Sequence, residues 1–293
     1  MPSYDYVAPS TLDEAVGLLK QHGDDAHLIA GGASLILMLR QQLLAPRVLV
    51  GLRGIEGLGG IETSVDGGLR IGAMATHRMI ERASAVREYA PALADAFGHV
   101  ATVRIRNQGT IGGNLAHADP AQDPPTILLA LDAVVYAVGA EGPREIAIDE
   151  FFVDYFETSL EPSEIVVAVS LPARPTGAEA HYIKFLPGSK DDYATVAVAV
   201  SGVPDDGAWT RIRIACGAVG PVPMRVTAAE AAVDGGELDE ASIARAAEAV
   251  GEAVDPIADQ RGSPEYKREM AMVWTRRALR RLAHRPESGA SGA

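Results

Sequence analysis

Apolar and polar residues in the first part of the chain alternate in short blocks that end at glycine. The block at residues 11–21 begins with a capping-box pattern, in which a glutamate follows Thr11 by three positions, and it then places apolar residues on one helical face. This block predicts a helix. The apolar runs at residues 27–30, 48–50 and 69–72 are typical of short buried strands.

The middle of the chain carries helical patterns followed by strand patterns. Residues 76–97 have mostly helical character, and Pro91 is placed to begin a second helix. Residues 103–123 are rich in Gly, Asn, Asp and Pro and predict an irregular segment. Residues 126–138 predict a helix that leads into a strand, and the β-branched run at residues 164–171 predicts another strand.

The last part of the chain predicts strands first and helices afterwards. A linker is expected at residues 173–177, and three β-like runs follow it at residues 182–185, 196–200 and 210–217. Helices are predicted at residues 240–250 and 265–283, the second with Ser263 as N-cap and Pro264 at its first position. Because strands and helices do not alternate regularly, the predicted fold class is α+β rather than a doubly wound sheet.

Composition and charge narrow the classes of function. The 293 residues carry a formal net charge of −13, which argues against a nucleic-acid or anionic-membrane partner. Backbone amides could still bind a phosphate compound. The one cysteine, Cys216, excludes an internal disulfide and a cysteine-ligated iron–sulfur cluster, and its apolar neighbours predict a buried, inert thiol. No apolar run is long enough to span a membrane and the start resembles no signal peptide, so a cytoplasmic protein is expected.

Two glycine-rich turns are the strongest candidates for a binding site. They lie at residues 30–34, between an apolar strand and a predicted helix, and at residues 109–114. Consecutive glycines let successive backbone N–H groups point into one concavity, and a helix start adds partial positive charge. Neither turn fits the Walker or the dinucleotide Gly-x-Gly-x-x-Gly pattern. A phosphate nest and a plain turn without a ligand both remain open.

Two further segments carry candidate chemistry. His117, Asp119 and Asp123 could ligate a metal, or the two acids could accept hydrogen bonds from ligand hydroxyls. Lys184 and Tyr193 could reach a planar ligand, or they could belong to a solvated turn.

The longer of the two motifs carries a family resemblance. Residues 105–120, with Asp123 beyond them, resemble the signature of the FAD-binding medium subunit of the molybdenum hydroxylases. That family includes the medium subunit of aerobic carbon monoxide dehydrogenase and the flavin segment of xanthine dehydrogenase. Residues 29–35 are similar to the family's other flavin loop. The resemblance implies a two-part FAD-binding domain of the type shared with vanillyl-alcohol oxidase-like flavoproteins, followed by a smaller C-terminal domain of a short antiparallel sheet packed with helices.

The resemblance also implies domain boundaries. The FAD-binding domain covers residues 1–175, in two subdomains of about 1–58 and 59–175. The C-terminal α+β domain covers residues 178–285, and a disordered tail is expected over residues 286–293.

The resemblance assigns roles to individual residues. The two loops grip the FAD diphosphate, Asp123 holds the ribose or adenine end, and Lys184 lies near the flavin ring. Val100 and Val166 line the ring, and Tyr193 lies near its reacting face. The implied cofactor-binding set is Ile29, Ala30, Gly31, Gly32, Ala33, Ser34, Leu35, Val100, Thr110, Ile111, Gly112, Gly113, Asn114, Asp123, Val166, Lys184 and Tyr193. No metal site and no certain catalytic residue is implied.

The implied function is that of an oxidoreductase subunit. The chain would accept electrons into FAD from a [2Fe-2S] small subunit, with the molybdenum cofactor on a large subunit, in a heterotrimer or a doubled heterohexamer. It would pass them to a quinone, oxygen or NAD. The alternatives are a free-standing FAD-dependent reductase of the same fold and an assembly protein without cofactor. Arg104 and Arg106 are either a contact edge for a partner or ordinary solvated arginines.

Overall fold

A small parallel sheet begins the fold. The computed structural model describes residues 4–189 and 191–284, so the predicted tail at 286–293 lies outside the described residues. The strand order of the first sheet is β1-β3-β2, with all pairs parallel. Its elements are β1 (Asp5–Val7), α1 (Leu12–His22), β2 (Ala26–Ile29), α2 (Leu35–Arg40) and β3 (Val48–Gly51).

A five-stranded antiparallel sheet follows, in the order β4-β5-β10-β6-β7. Strands β8 and β9 form a separate hairpin. The elements are β4 (Ile61–Thr63), β5 (Leu69–Gly72), α3 (His77–Arg82), α4 (Ser84–Tyr89), α5 (Pro91–Gly98), α6 (Val103–Arg106), α7 (Ile111–His117), α8 (Asp123–Ala130), β6 (Val134–Gly139), β7 (Gly142–Ala147), α9 (Ile148–Phe151), β8 (Phe152–Asp154), β9 (Glu157–Thr158) and β10 (Ile165–Leu171).

The third sheet has four antiparallel strands in chain order, and its helices share one apolar core with it. The elements are β11 (Glu179–Phe185), β12 (Val196–Asp205), β13 (Ala208–Gly217), β14 (Met224–Arg225), α10 (Thr227–Ala231), α11 (Glu240–Ala253) and α12 (Pro264–Ala283). Helix α12 begins as the sequence predicts, because the Ser263 hydroxyl accepts a hydrogen bond from the Tyr266 N–H at 3.3 Å and Pro264 occupies the first turn.

One element prediction is wrong. Residues 103–123 are not irregular, because they contain the short helices α6 and α7. The hydroxyl of Thr110 caps α7 by accepting a hydrogen bond from the Gly113 N–H at 3.2 Å. Ile111 and Leu115 on the same helix are fully buried. The cap and these two apolar anchors stabilise a turn of helix that the glycine content alone disfavours.

The apolar core crosses the predicted domain boundary. Tyr182, Ala197 and Ala215 of the third sheet belong to the same buried cluster as the helices beside the second sheet. Gly217 lies so close to Thr126 that a Cβ atom would collide with the threonine hydroxyl. The two parts therefore pack directly against each other, and the mixed architecture agrees with the predicted α+β class.

Candidate functional site

The described residues enclose a cavity of about 640 Å³, within the range of small-molecule and cofactor sites. Its walls include the loop after β2, the start of α7, the start of α8, the first residues of β10 and the end of β11. The cavity therefore depends on all three sheets.

The first glycine loop offers unused hydrogen-bond donors at this cavity. Gly31, Gly32, Ala33 and Ser34 line it, and within the described part of the chain their backbone N–H groups have no acceptor. These residues are half-buried, and four successive amide donors without a protein acceptor among the described residues, all at a cavity wall, indicate a site for an anionic ligand. Gly32 has φ +76°, which favours glycine at that position.

In the second glycine loop, two backbone amides are already hydrogen-bonded within the protein. The N–H groups of Ile111 and Gly112 donate to the carbonyls of Ala75 and Ala73, at 3.0 and 2.9 Å. These two amides therefore do not form the phosphate nest that the glycines suggest. Asn114 offers the cavity a buried side-chain oxygen that has no partner among the described residues.

A buried cluster closes another part of the cavity wall. The Tyr182 hydroxyl donates to Oδ1 of Asp123 at 2.6 Å, and the Lys184 ammonium donates to Oδ2 of the same carboxylate at 2.9 Å. The side chains of Asp123 and Lys184 are both almost fully buried. Each carboxylate oxygen keeps a second lone pair, so Asp123 can still accept a bond from a ligand.

Burial sets the acid–base character of this cluster. It raises the pKa of Asp123, although Lys184 and Tyr182 both pull that pKa down. Burial and the adjacent carboxylate raise the pKa of Tyr182 well above its ordinary value. The tyrosine is therefore a permanent hydrogen-bond donor at physiological pH.

Tyr193 lies at the rim of the cavity and is 41% exposed. The guanidinium of Arg261 lies over its ring, 5.5 Å from the centroid, and also pairs with Asp192 at 2.7 Å. Burial and the nearby carboxylate of Asp119 raise the pKa of Tyr193 to about 12. Its hydroxyl therefore stays protonated in the physiological range.

The predicted residues converge in space. Every member of the predicted cofactor-binding set lines the cavity except Ile111, whose side chain is fully buried in the core. Asp123 and Lys184, 61 positions apart, form one ion pair in the cavity wall.

Sequence reasoning missed several residues of the wall. His77 and Gln122 are buried there, and each has a side-chain atom without a partner among the described residues. Burial lowers the pKa of His77 to about 4, with a smaller effect from Arg106. Gln122 could have been found from its place beside Asp123, whereas nothing local distinguishes His77 from an ordinary helical histidine.

Metal and thiol chemistry have little structural basis here. The described residues contain no group of three or more His, Cys, Asp or Glu side chains that could hold a metal ion. Asp119 accepts a hydrogen bond from the Ala121 N–H at 2.9 Å, and Asp123 serves Tyr182 and Lys184. Cys216 is buried, and its pKa is raised to about 12, in agreement with the predicted inert thiol.

Comparison with known protein families identifies the family of this chain. Residues 2–174 match the model of the FAD binding domain in molybdopterin dehydrogenase, and residues 181–282 match that of the CO dehydrogenase flavoprotein C-terminal domain. The chain belongs to the family of FAD-binding medium subunits of molybdenum hydroxylases. The resemblance predicted from residues 105–120 and 29–35 is therefore confirmed.

Relatives and solved structures match this flavin subunit over nearly its whole length. The alpha subunit of the 6-hydroxypseudooxynicotine dehydrogenase complex of Paenarthrobacter nicotinovorans is 35% identical, over 97% of this chain and 96% of the relative. The carbon monoxide dehydrogenase medium chain of Afipia carboxidovorans is 35% identical, over 98% and 99%. The structure of carbon monoxide dehydrogenase from Hydrogenophaga pseudoflava matches with a TM-score of 0.93 and 36% identity, over 95% of this chain and 96% of that one.

Several predictions are confirmed at the level of the family. The fold class, the oxidoreductase assignment and FAD as the cofactor all agree with the matched families and relatives. The relatives are subunits of multi-chain enzymes. Among the described residues, no helix is long and apolar enough to cross a membrane.

Proposed function

We propose that this subunit holds FAD in the cavity, receives electrons from an iron–sulfur partner and delivers them to an external acceptor. The row of unpaired amides at residues 31–34, facing a cavity of cofactor size, is the observation that carries this proposal. When bound, FAD supplies the electron-transfer chemistry, and the protein contributes binding, orientation and electrostatics.

The two glycine loops would hold the diphosphate between them. The free N–H groups of residues 31–34 are its main donors, since the amides of Ile111 and Gly112 are already paired. Thr110 and Asn114, both polar residues of the cavity wall, would hold it from the second loop. Phosphate oxygens would satisfy donors that otherwise stay unpaired next to the cavity.

The flavin ring would lie beside Lys184. Because Lys184 and Asp123 form one ion pair, Asp123 would also lie near the ring, rather than at the ribose or adenine end that the resemblance implies. Val100 and Val166, both buried, form apolar parts of the cavity wall, and Tyr193 covers it from the rim. The buried ammonium of Lys184 places a positive charge beside the ring, held in position by Asp123. Charge near the ring is one of the means by which a protein tunes a flavin.

The partner chains follow from the relatives, which are subunits of multi-chain enzymes. One cysteine cannot ligate an iron–sulfur cluster, so we assign the clusters to a small subunit and the molybdenum cofactor to a large one. A heterotrimer or a doubled heterohexamer satisfies this division. The acceptor is a quinone, oxygen or NAD, and the location is cytoplasmic.

Absorption spectroscopy of the purified full chain, alone and with co-purified partners, tests this function. We expect flavin absorption bands and release of FAD, identified by chromatography, when the protein is denatured. A free-standing reductase would turn over without partners. A colourless chain that takes up no FAD, alone or in the complex, would leave only the assembly-protein alternative.

Replacing Gly113 by leucine tests the loop assignment. A Cβ atom there lies 3.0 Å from Thr110 Oγ1 and 3.6 Å from the Ala30 Cβ, between the two loops, so a large side chain enters the diphosphate position. We expect Gly113→Leu to abolish FAD retention and Gly113→Ala to keep most of it, measured as FAD per chain. Gly112→Leu should abolish it too, but its Cβ also meets Ala73 at 2.6 Å in the packed interior. Normal FAD content in Gly113→Leu would refute the assignment.

A further inference from the structure

Two cations hold the end of helix α5. The Lys184 ammonium donates to the His99 carbonyl at 2.9 Å, and Nη1 of Arg106 donates to the carbonyls of Val100 and Ala101 at 3.0 and 2.8 Å. Three successive carbonyls just beyond the helix are thereby satisfied by two charged side chains. Carbonyls at a helix C-terminus lack partners and carry partial negative charge, so cations are stabilising there.

The turn that these cations hold is part of the cavity wall. Val100 and Ala101 both line the cavity. Ala101 has φ +38°, a left-handed conformation that is strained for a residue other than glycine. Such a conformation persists when surrounding contacts hold it, and the two bonds from Arg106 end on the carbonyls of this turn.

Arg106 is itself fixed from its other side. Its Nε donates to Oε2 of Glu81 at 3.1 Å, and Oε1 of that carboxylate accepts from Arg78 at 2.8 Å. The Arg106 side chain is only 11% exposed. Of the two arginines predicted as a contact edge for a partner, Arg106 therefore points inward and is not available as an open surface.

The Glu81 carboxylate that binds Arg106 is held in its charged form. Burial alone would raise the pKa of Glu81, but the hydrogen bond from Arg78 and the charge of Arg106 together bring it below its ordinary value. The carboxylate is therefore ionised at neutral pH and anchors the guanidinium. A guanidinium can serve several acceptors at once in a fixed planar geometry, which a lysine ammonium does less well.

We propose that Arg106 is a positioning residue of the cofactor site, which fixes the Val100–Ala101 turn as a wall against bound FAD. This inference rests on the proposed function, because the cavity must hold FAD for the wall to matter. Arg106 does not touch the reacting atoms; it acts through the two carbonyls that it binds.

The matched control lies on the same short helix. Arg104 is exposed, and its side chain makes no hydrogen bond or ion pair with any other described residue. Arg104→Gln therefore removes the same charge from the same helix without touching the turn. A loss of FAD affinity that reflects charge alone should occur in both variants. A loss that reflects displacement of the Val100–Ala101 turn should occur only in Arg106→Gln.

The experiment uses the full chain with its co-purified partners, and free FAD as the probe. We expect Arg106→Gln to raise the dissociation constant of FAD about tenfold to hundredfold, the range expected for a lost charged hydrogen bond, and to change the visible circular dichroism of the flavin. Arg106→Lys should give an intermediate constant, and Arg104→Gln should match the wild type. The Arg106→Lys comparison repeats the test in a variant that keeps the charge, so poor folding of Arg106→Gln does not decide the outcome.

The outcomes separate the two proposals. A wild-type protein that binds no FAD refutes the proposed function. If the wild type binds FAD, but Arg106→Gln and Arg106→Lys both bind it with wild-type affinity and dichroism, the positioning role is refuted. A lower melting temperature with unchanged affinity and dichroism likewise refutes it, because it means that Arg106 only stabilises the fold.

Discussion

Burial shifts the pKa of several polar side chains in the cavity wall. His77 is the strongest case, because its imidazole is 3% exposed and its Nδ1 has no partner among the described residues. Its ring also lies 5.5 Å from that of Phe97. Burial and the positive charge of Arg106 both oppose a protonated imidazole, so the folded state favours the neutral form.

The stability of the protein should therefore fall in mild acid. The pKa of His77 is lowered from 6.5 to about 4, so between these values the unfolded chain binds a proton that the folded chain does not. His77 makes stability rise with pH in this window, and its contribution to the loss between pH 7 and pH 4 is about 3 kcal/mol. Urea unfolding at a series of pH values measures it.

A variant isolates the contribution of this histidine. His77→Leu cannot take up a proton, so its stability should depend less steeply on pH between about 4 and 6.5. His284→Leu, at an exposed histidine, should leave the slope as in the wild type. Equal slopes in wild type and His77→Leu would show that His77 titrates alike in both states, contrary to this account.

At the scale of elements, the two glycine loops pack directly on each other. A Cβ atom on Gly31 would collide with the backbone carbonyl of Gln108, immediately before the second loop. Glycine is thus required at position 31 by the close approach of two backbones rather than by a positive φ. The same contact brings the free amides of the first loop next to Thr110 and Asn114.

Adding one methyl group at this contact should separate the loops. We expect Gly31→Ala to lower the free energy of unfolding by about 1–3 kcal/mol, as overpacking does, and to weaken FAD binding. Gly17→Ala is the control, because Gly17 lies in the exposed interior of helix α1 with nothing within 4 Å of its Cβ position. That change should raise stability by about 0.5–1 kcal/mol. An unchanged affinity in Gly31→Ala would mean that the contact of the loops does not shape the site.

Local signals predicted some elements better than others. Helices α1 and α12 were predicted because each has a side-chain cap and a long amphipathic body, which single-residue patterns reveal. Helices α6 and α7 were missed because they have only four and seven residues, and α7 contains two glycines. A threonine cap stabilises each of them, and α7 is also anchored by the buried side chains of Ile111 and Leu115, so packing overrides propensity in α7.

At the scale of the whole molecule, the two matched domains share contacts as tight as those within one domain. The Ser201 hydroxyl donates to the Ala130 carbonyl at 2.6 Å, and the Asp132 carboxylate pairs with Arg213 and Arg225 at 2.9 and 3.1 Å. The buried cluster beside the second sheet continues into the third. The cavity is completed by Lys184 of the C-terminal part.

This continuity predicts one cooperative unfolding unit. Differential scanning calorimetry of the full chain should show a single transition, with equal calorimetric and van't Hoff enthalpies. Separate expression of residues 1–175 should give a protein of lower stability that does not retain FAD, because Lys184 and the core alanines of the third sheet are missing. Two resolved transitions in the full chain would contradict this expectation.

The sequence by itself determined the class of the protein and the identity of its loops. The single cysteine, the acidic charge, the capped helices and the long glycine motif are local properties, and each can be recognised without a fold. They sufficed for the α+β class, the family and FAD. The resemblance names the cofactor-binding residues directly, and all of them except Ile111 line one cavity.

Only the tertiary structure decided how these residues act together. Asp123 meets Lys184 and Tyr182 across about 60 positions, and Arg106 meets Glu81 across 25. The amides of Ile111 and Gly112 are taken by Ala73 and Ala75, which no glycine pattern reveals. Such pairings depend on how sheets and helices pack, because a side chain's partner, burial and pKa are set by neighbours in space rather than along the chain.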